Sequence, residues 1–201
     1  MKIDFRQLWQ YTLIVAMLMF VIGIAIDAKD VTTYTRRVRH YLDEGNYEKA
    51  LQVGDRSDKT DHQLMLLRME ALHHEGLLGE RLFTYPIVGR GDELVAKGGD
   101  YELCAYLIDK KLDRFVAALP KYYPVNEQLP RHYREALVLY RHLRANPVIV
   151  YHDNVMDTDY EDLQEQKHKI QDKKARQVAL FQNYEGTYWY YFDYSNKISR
   201  K

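Results

Sequence analysis

Three short turns recur along the chain at nearly constant spacing, and this recurrence constrains the fold more than any other feature. They open on Tyr47, Leu78 and Leu112, which lie 31 and 34 residues apart. Ahead of each turn runs an apolar stripe at helical spacing: Val31, Tyr34, Val38, Tyr41 and Leu42, then Leu64, Leu67, Ala71 and Leu72, then Tyr101, Cys104, Leu107 and Ile108. A shorter stripe follows each turn, carried by Tyr47, Ala50 and Leu51, by Leu78, Leu82 and Phe83, and by Leu112, Phe115 and Val116. Residues three and four apart share one face of a helix, so each unit reads as a helix, a tight turn and a second helix. A lone hairpin of this kind cannot bury its apolar face, whereas stacked hairpins bury a continuous core. The expected fold class is all-α, an antiparallel helical-hairpin array.

The first turn, YLDEGNYEKAL, carries Gly45, Tyr47 and Ala50. Gly45 suits a left-handed helix end, and Ala50 is small where antiparallel helices approach closely. This pattern resembles the tetratricopeptide repeat. The second unit keeps Gly76 but has Arg81 where Ala50 stands, and the third has Lys110 in place of the glycine. The repeats are therefore degenerate, and a generic hairpin array is the alternative. Residues 29–147 are assigned to these repeats, with a Gly-rich insertion at 86–99 that is expected to bulge from the array. After Pro120, Pro124 and Pro130, the segment LPRHYREALVLYRHLRANP forms a further arm whose stripe is Tyr133, Leu137, Tyr140 and Leu143. Residues 148–201 hold a mostly solvated long helix, expected from Asp159 to about Gln182, and an aromatic tail.

At the N-terminus, Leu13 to Ile26 runs for 14 residues without a polar side chain. Extended back to Leu8 it would span roughly 28 Å as a helix, close to a hydrocarbon core of roughly 30 Å. Trp9 and Tyr11 sit where an aromatic belt would meet the headgroups, and Asp27, Lys29 and Asp30 close the run. Residues 1–28 thus read as a single transmembrane helix. The competing reading is a cleaved signal peptide, disfavoured because a cut after Ala28 would follow Ile26 and Asp27. The expected location is a bacterial inner membrane crossed once, with the helical domain toward the periplasm in preference to the cytoplasm. Charge counting is ambiguous on orientation, with Lys2, Arg6 and the terminal amine before the span and Lys29, Arg36, Arg37 and Arg39 after it.

Balanced charge, with 29 basic and 29 acidic residues, argues against a general nucleic-acid binder. Beyond residue 26 the counts are 27 and 28, so neutrality belongs to the helical domain itself. Recognisable chemistry is sparse. His73 and His74 diverge by about 100 degrees on a helix. Cys104 lies on an apolar stripe, and the acids Asp153, Asp157, Asp159, Glu161 and Asp162 lack calcium-loop spacing. Arg90, Gly91 and Asp92 spell an adhesion-type tripeptide too short to carry weight. No catalytic residue, cofactor, metal site or small-molecule substrate is expected, and the chain is read as a non-enzyme.

The tail YEGTYWYYFDY holds seven aromatic residues among eleven. Tyr188, Trp189, Tyr190, Tyr191 and Phe192 either pack the end of the array, dock a partner or the membrane interface, or stack on sugars. With the hydrophobic segment, GNYEKAL, LPRHYREALVLY and GTYWYYF, residues 30–195 resemble the tetratricopeptide-like C-terminal region of a membrane-protein family from Bacteroidota-type bacteria, known as a domain of unknown function. That family carries many spans before this region, whereas one is read here. The resemblance implies an envelope location and supplies no catalytic residues. The expected role is a membrane-anchored protein-protein interaction module whose partner is an unidentified protein or peptide. The alternative is an accessory subunit or remnant of a larger multi-spanning enzyme or transporter.

Overall fold

The computed structural model describes residues 5–195, with side-chain surroundings described for 11–19 and 30–195. Within these limits the chain is all-helical. Ten α-helices follow in order: α1 (Phe5–Asp43), α2 (Tyr47–Gln52), α3 (His62–His74), α4 (Leu78–Arg81), α5 (Gly99–Ile108), α6 (Leu112–Ala118), α7 (Arg131–Leu143), α8 (Asn154–Lys169), α9 (Lys173–Tyr184) and α10 (Tyr188–Tyr194). Short 3-10 turns at Leu82–Thr84, Asp92–Lys97 and Leu119–Lys121 join some of them.

The three recurring turns are closed by the same pair of hydrogen bonds. At the first, Gly45 N–H donates to Leu42 O (2.9 Å) and Asn46 N–H to Tyr41 O (2.8 Å). At the second, Gly76 N–H reaches His73 O (3.0 Å) and Leu77 N–H reaches Leu72 O (2.8 Å). At the third, Lys110 N–H reaches Leu107 O (3.0 Å) and Lys111 N–H reaches Tyr106 O (2.8 Å). Each satisfies carbonyls that a helix end would otherwise leave unpaired, and each needs one left-handed residue. Gly45 (φ 69°) and Gly76 (φ 67°) adopt it without a Cβ penalty, and Lys110 (φ 58°) adopts it despite one.

The stripes read from the sequence line the core. Val38, Leu64, Ala71, Leu72, Leu107, Leu78, Leu82, Leu112 and Phe115 are all buried. The close approach expected opposite Arg81 falls instead at Gly79, where a Cβ would stand 2.7 Å from both Pro130 and Tyr133. Helix α7 is the centre of the molecule, packed against α4, α6, α8 and α10. More than one stripe of it is covered, because Ala136, Val138 and Leu139 are buried along with Tyr133, Leu137 and Tyr140.

Three expectations are corrected. The insertion at 86–99 does not bulge outward; its 3-10 turn packs on α5, burying Leu94, and a Cβ on Gly91 would lie 2.3 Å from the Ala105 carbonyl oxygen. The long helix expected from Asp159 to Gln182 is two helices broken at Ile170, which is extended (φ −112°, ψ 108°). The break is stabilised on both sides, since Asp172 caps α9 by accepting from Ala175 N–H and Arg176 donates to the Ile170 and Gln171 carbonyls.

The third correction concerns the anchor. Among the described residues no helix is long and apolar enough to cross a membrane, so the transmembrane helix is not supported. Helix α1 runs unbroken past Asp27, Lys29 and Asp30 into the first repeat, so the apolar run is one part of a longer, mixed helix. The side chains of Lys2, Arg6 and Trp9, and those around Ala28, lie outside the described set. The single-pass inner-membrane location and its periplasmic orientation rested on this anchor and are withdrawn with it.

Candidate functional site

The sequence RHYREAL at the start of α7 places Arg131 and His132 four and three residues before Glu135, spacings that bring side chains together on a helix. Glu135 is almost fully buried and satisfied from three directions. Arg131 Nε donates to its Oε1 (2.8 Å), while His132 Nδ1 (2.9 Å) and the Tyr188 backbone N–H (2.7 Å) both reach Oε2. The indole Nε1 of Trp189 donates to the Glu135 carbonyl at 2.7 Å. On its other side, His132 Nε2 accepts from the Phe83 backbone N–H at 3.3 Å, which places the imidazole proton on Nδ1, directed at the carboxylate. A His-Glu pair of this kind can orient a general base, but here the free nitrogen is occupied by a backbone amide. The arrangement therefore clamps the second hairpin, α7 and α10 together.

The five tail residues separate around this clamp. Tyr188 and Trp189 are buried, the first against Phe83 and Phe192, the second edge-on to Tyr160 with centroids 5.3 Å apart. The hydroxyl of Tyr188 has no hydrogen-bond partner among the described residues. Tyr190, Tyr191 and Phe192 are half-buried. Tyr191 donates its hydroxyl to Ile108 O (2.8 Å), and burial pushes its phenol up to about 12. Lys110 closes the end of α10, donating Nζ to the carbonyls of Phe192 (2.7 Å) and Ser195 (3.1 Å).

Docking α10 in this way leaves an open groove of about 860 Å³ between three segments. Residues 55–58 after α2 form one wall, Phe83 to Ile87 the second, and Phe181, Glu185, Tyr190, Tyr191 and Tyr194 the third. Phe181 is 46% exposed and meets Tyr190 edge to face at 5.9 Å. Buried Arg68 ties the residues just ahead of the first wall to Tyr85 in the second. Its Nη2 donates to Val53 O (3.3 Å) and Gly54 O (3.0 Å), and its guanidinium lies 5.1 Å from the Tyr85 ring centroid. Tyr85 in turn donates its hydroxyl to Leu51 O at 3.1 Å. Burial lowers the Arg68 pKa and raises that of Tyr85. Neither Arg68 nor Glu135 stands out in the sequence, although a cation within the inward stripe of α3 and an acid within that of α7 were the available signals.

Other residues singled out in the sequence have local partners. Cys104 is buried, and burial pushes its thiol well up, so it stays protonated. His74 stacks on Tyr47 (4.3 Å) and His73 lies against Tyr101 (4.7 Å), so the pair diverges. In the adhesion-type tripeptide, Arg90 pairs with Asp92, Lys111 donates to Asp92 Oδ1 (2.7 Å), and Gly91 is buried. The hydrogen bond from Lys111 holds the Asp92 carboxyl at about 2. Of the acidic run, Asp153 binds Arg134 and Asp157 binds Arg141. Among the described residues no three His, Cys, Asp or Glu side chains gather around a metal-sized site.

Residues 98–195 match the model of a family of unknown function, DUF6057. No curated protein and no solved structure matches the chain. The DUF6057 match begins at Gly98, ahead of α5, and ends at Ser195, just after α10. It therefore contains the Glu135 clamp and the tail wall of the groove, while the walls at 55–58 and 83–87 lie outside it. The match supports the resemblance at its coarser level, a domain of unknown function.

Proposed function

We propose that this chain is a helical-hairpin, tetratricopeptide-like interaction module, without enzymatic activity, that holds a short segment of another polypeptide in the groove. The observation that carries this reading is the groove itself. Phe83, Tyr85, Phe181, Tyr190, Tyr191 and Tyr194 contribute rings to an open trough, and aromatic residues are enriched where proteins recognise one another. Burial of Trp189 and Tyr188 fixes the third wall in place, so the groove is preformed and binding does not have to order it. A photo-crosslinking residue at Phe181 or Tyr194 of the full chain, expressed in its own cells, should form adducts with another polypeptide. The same residue at Val178, exposed on α9 but outside the groove, should not. Equal labelling at all three positions, or none at the groove, would count against the proposal.

A second reading, in which the chain works as an accessory subunit of a larger assembly, is favoured by residues 11–19. Tyr11, Leu13, Ile14, Val15, Met17, Leu18 and Met19 are each more than half exposed, an apolar surface of the kind that marks a contact site. Removal of residues 1–28 should then abolish co-purification of the chain with other chains of that assembly, as read by size-exclusion chromatography of the solubilised complex.

A further inference from the structure

The charges along the groove indicate the chemistry of its occupant. Three carboxylates line it, Asp55 and Asp58 on one wall and Glu185 at the α9–α10 turn, against one lining cation, Arg56. All three acids are exposed, and among the described residues none has a cation within ion-pair distance. Four acids outside the groove, Asp92, Asp153, Asp157 and Asp193, are by contrast paired with lysine or arginine within the domain. Between the acidic positions lie the rings of Tyr190 and Tyr194, and an aromatic face beside a carboxylate favours a cation, whereas Tyr191 already has Lys110 Nζ 5.4 Å from its ring centroid. The Arg68 guanidinium already lies 5.1 Å from the Tyr85 ring centroid, which leaves the segment around Tyr85, Pro86 and Ile87 suited to an apolar side chain.

We infer that the groove takes an extended peptide in which lysine or arginine side chains alternate with apolar ones, the cations falling on Asp58, Glu185 and the neighbouring ring of Tyr190. This rests on the peptide-holding role proposed above. Acidic peptides, nucleic acid and anionic lipid are disfavoured by the same carboxylates.

The inference is tested with the full chain on an immobilised array of synthetic peptides of about ten residues, equal in apolar content but cationic, acidic or uncharged. Binding to the cationic set about tenfold or more above the others is expected. Equal or stronger binding to the acidic or uncharged set would overturn the sign of the ligand while leaving the peptide-holding role intact. Binding to none of the sets would overturn both. The strongest cationic peptide is then titrated against the double variant Asp58→Asn, Glu185→Gln, whose circular dichroism should match the wild type because both positions are exposed. Its affinity should fall about tenfold, and the wild-type affinity should fall with added salt. An affinity that neither variant nor salt alters would refute the inference.

Discussion

The three repeat turns and the C-terminal region are held by opposite means. Each repeat turn closes within a few residues through the same two backbone bonds, at Gly45, Gly76 and Lys110. The C-terminal region is held by bonds between residues far apart in the chain. Glu135 accepts from Tyr188 N–H, Trp189 donates to the Glu135 carbonyl, and Tyr191 donates to Ile108 O. Local closure makes each turn independent of distant residues, although its hairpin still needs neighbours to cover its apolar face, whereas long-range closure makes the tail depend on the whole array. Lys110 belongs to both systems, because its backbone forms a repeat turn and its side chain closes α10.

The largest loss of stability is expected at Glu135. Its replacement by alanine strands Arg131, His132 and the Tyr188 amide in a buried site, and should cost about 3–5 kcal/mol in chemical denaturation. Loss should appear first in the near-ultraviolet dichroism of Trp189. Alkaline titration gives a second contrast. Burial holds the phenols of Tyr101, Tyr160 and Tyr191 near about 12, above the free value of 10.0. A raised folded-state pKa contributes stability that is present below pH 10 and lost as pH rises toward 12. Tyrosinate absorbance for these groups should therefore develop cooperatively with unfolding in that window.

Substitutions at the turns have smaller effects. Gly45→Ala should cost about 1–2 kcal/mol, since it places a Cβ in the left-handed region. Lys110→Gly relieves the same strain but removes two bonds to the end of α10, so net stability should change by less than about 1 kcal/mol. Protease cleavage after Tyr194 should nevertheless accelerate. The smallest effect is expected at Tyr188, where Phe replaces a buried hydroxyl that lacks a partner; Tyr188→Phe should be neutral or stabilising by up to about 1 kcal/mol.

The same division explains what could be read in advance. Hairpins and turns are written in short stretches, so the stripes led by Val38, Leu64 and Leu107 and the turn spacing were legible. Lys110 read as a degenerate glycine because its compensation lies 82 residues away at Phe192. The groove was legible only as an aromatic tail, since its walls come from residues 55–58, 83–87 and 181–195 and meet through contacts that no local pattern encodes. The apolar run at Leu13–Ile26 misled for the opposite reason. Its length and composition matched a membrane span, while the helix containing it continues into the array and no described helix meets the requirements for crossing.

Helix α10 is a fixed wall, clamped to α7 through Glu135. Native-state hydrogen exchange tests it most directly at the Tyr188 amide, which donates to the buried carboxylate. The clamp predicts that this amide exchanges as slowly as those of Leu137 and Val138 in α7, by the same global opening. Exchange of Tyr188 through a separate opening of much lower free energy, with α7 still protected, would contradict it.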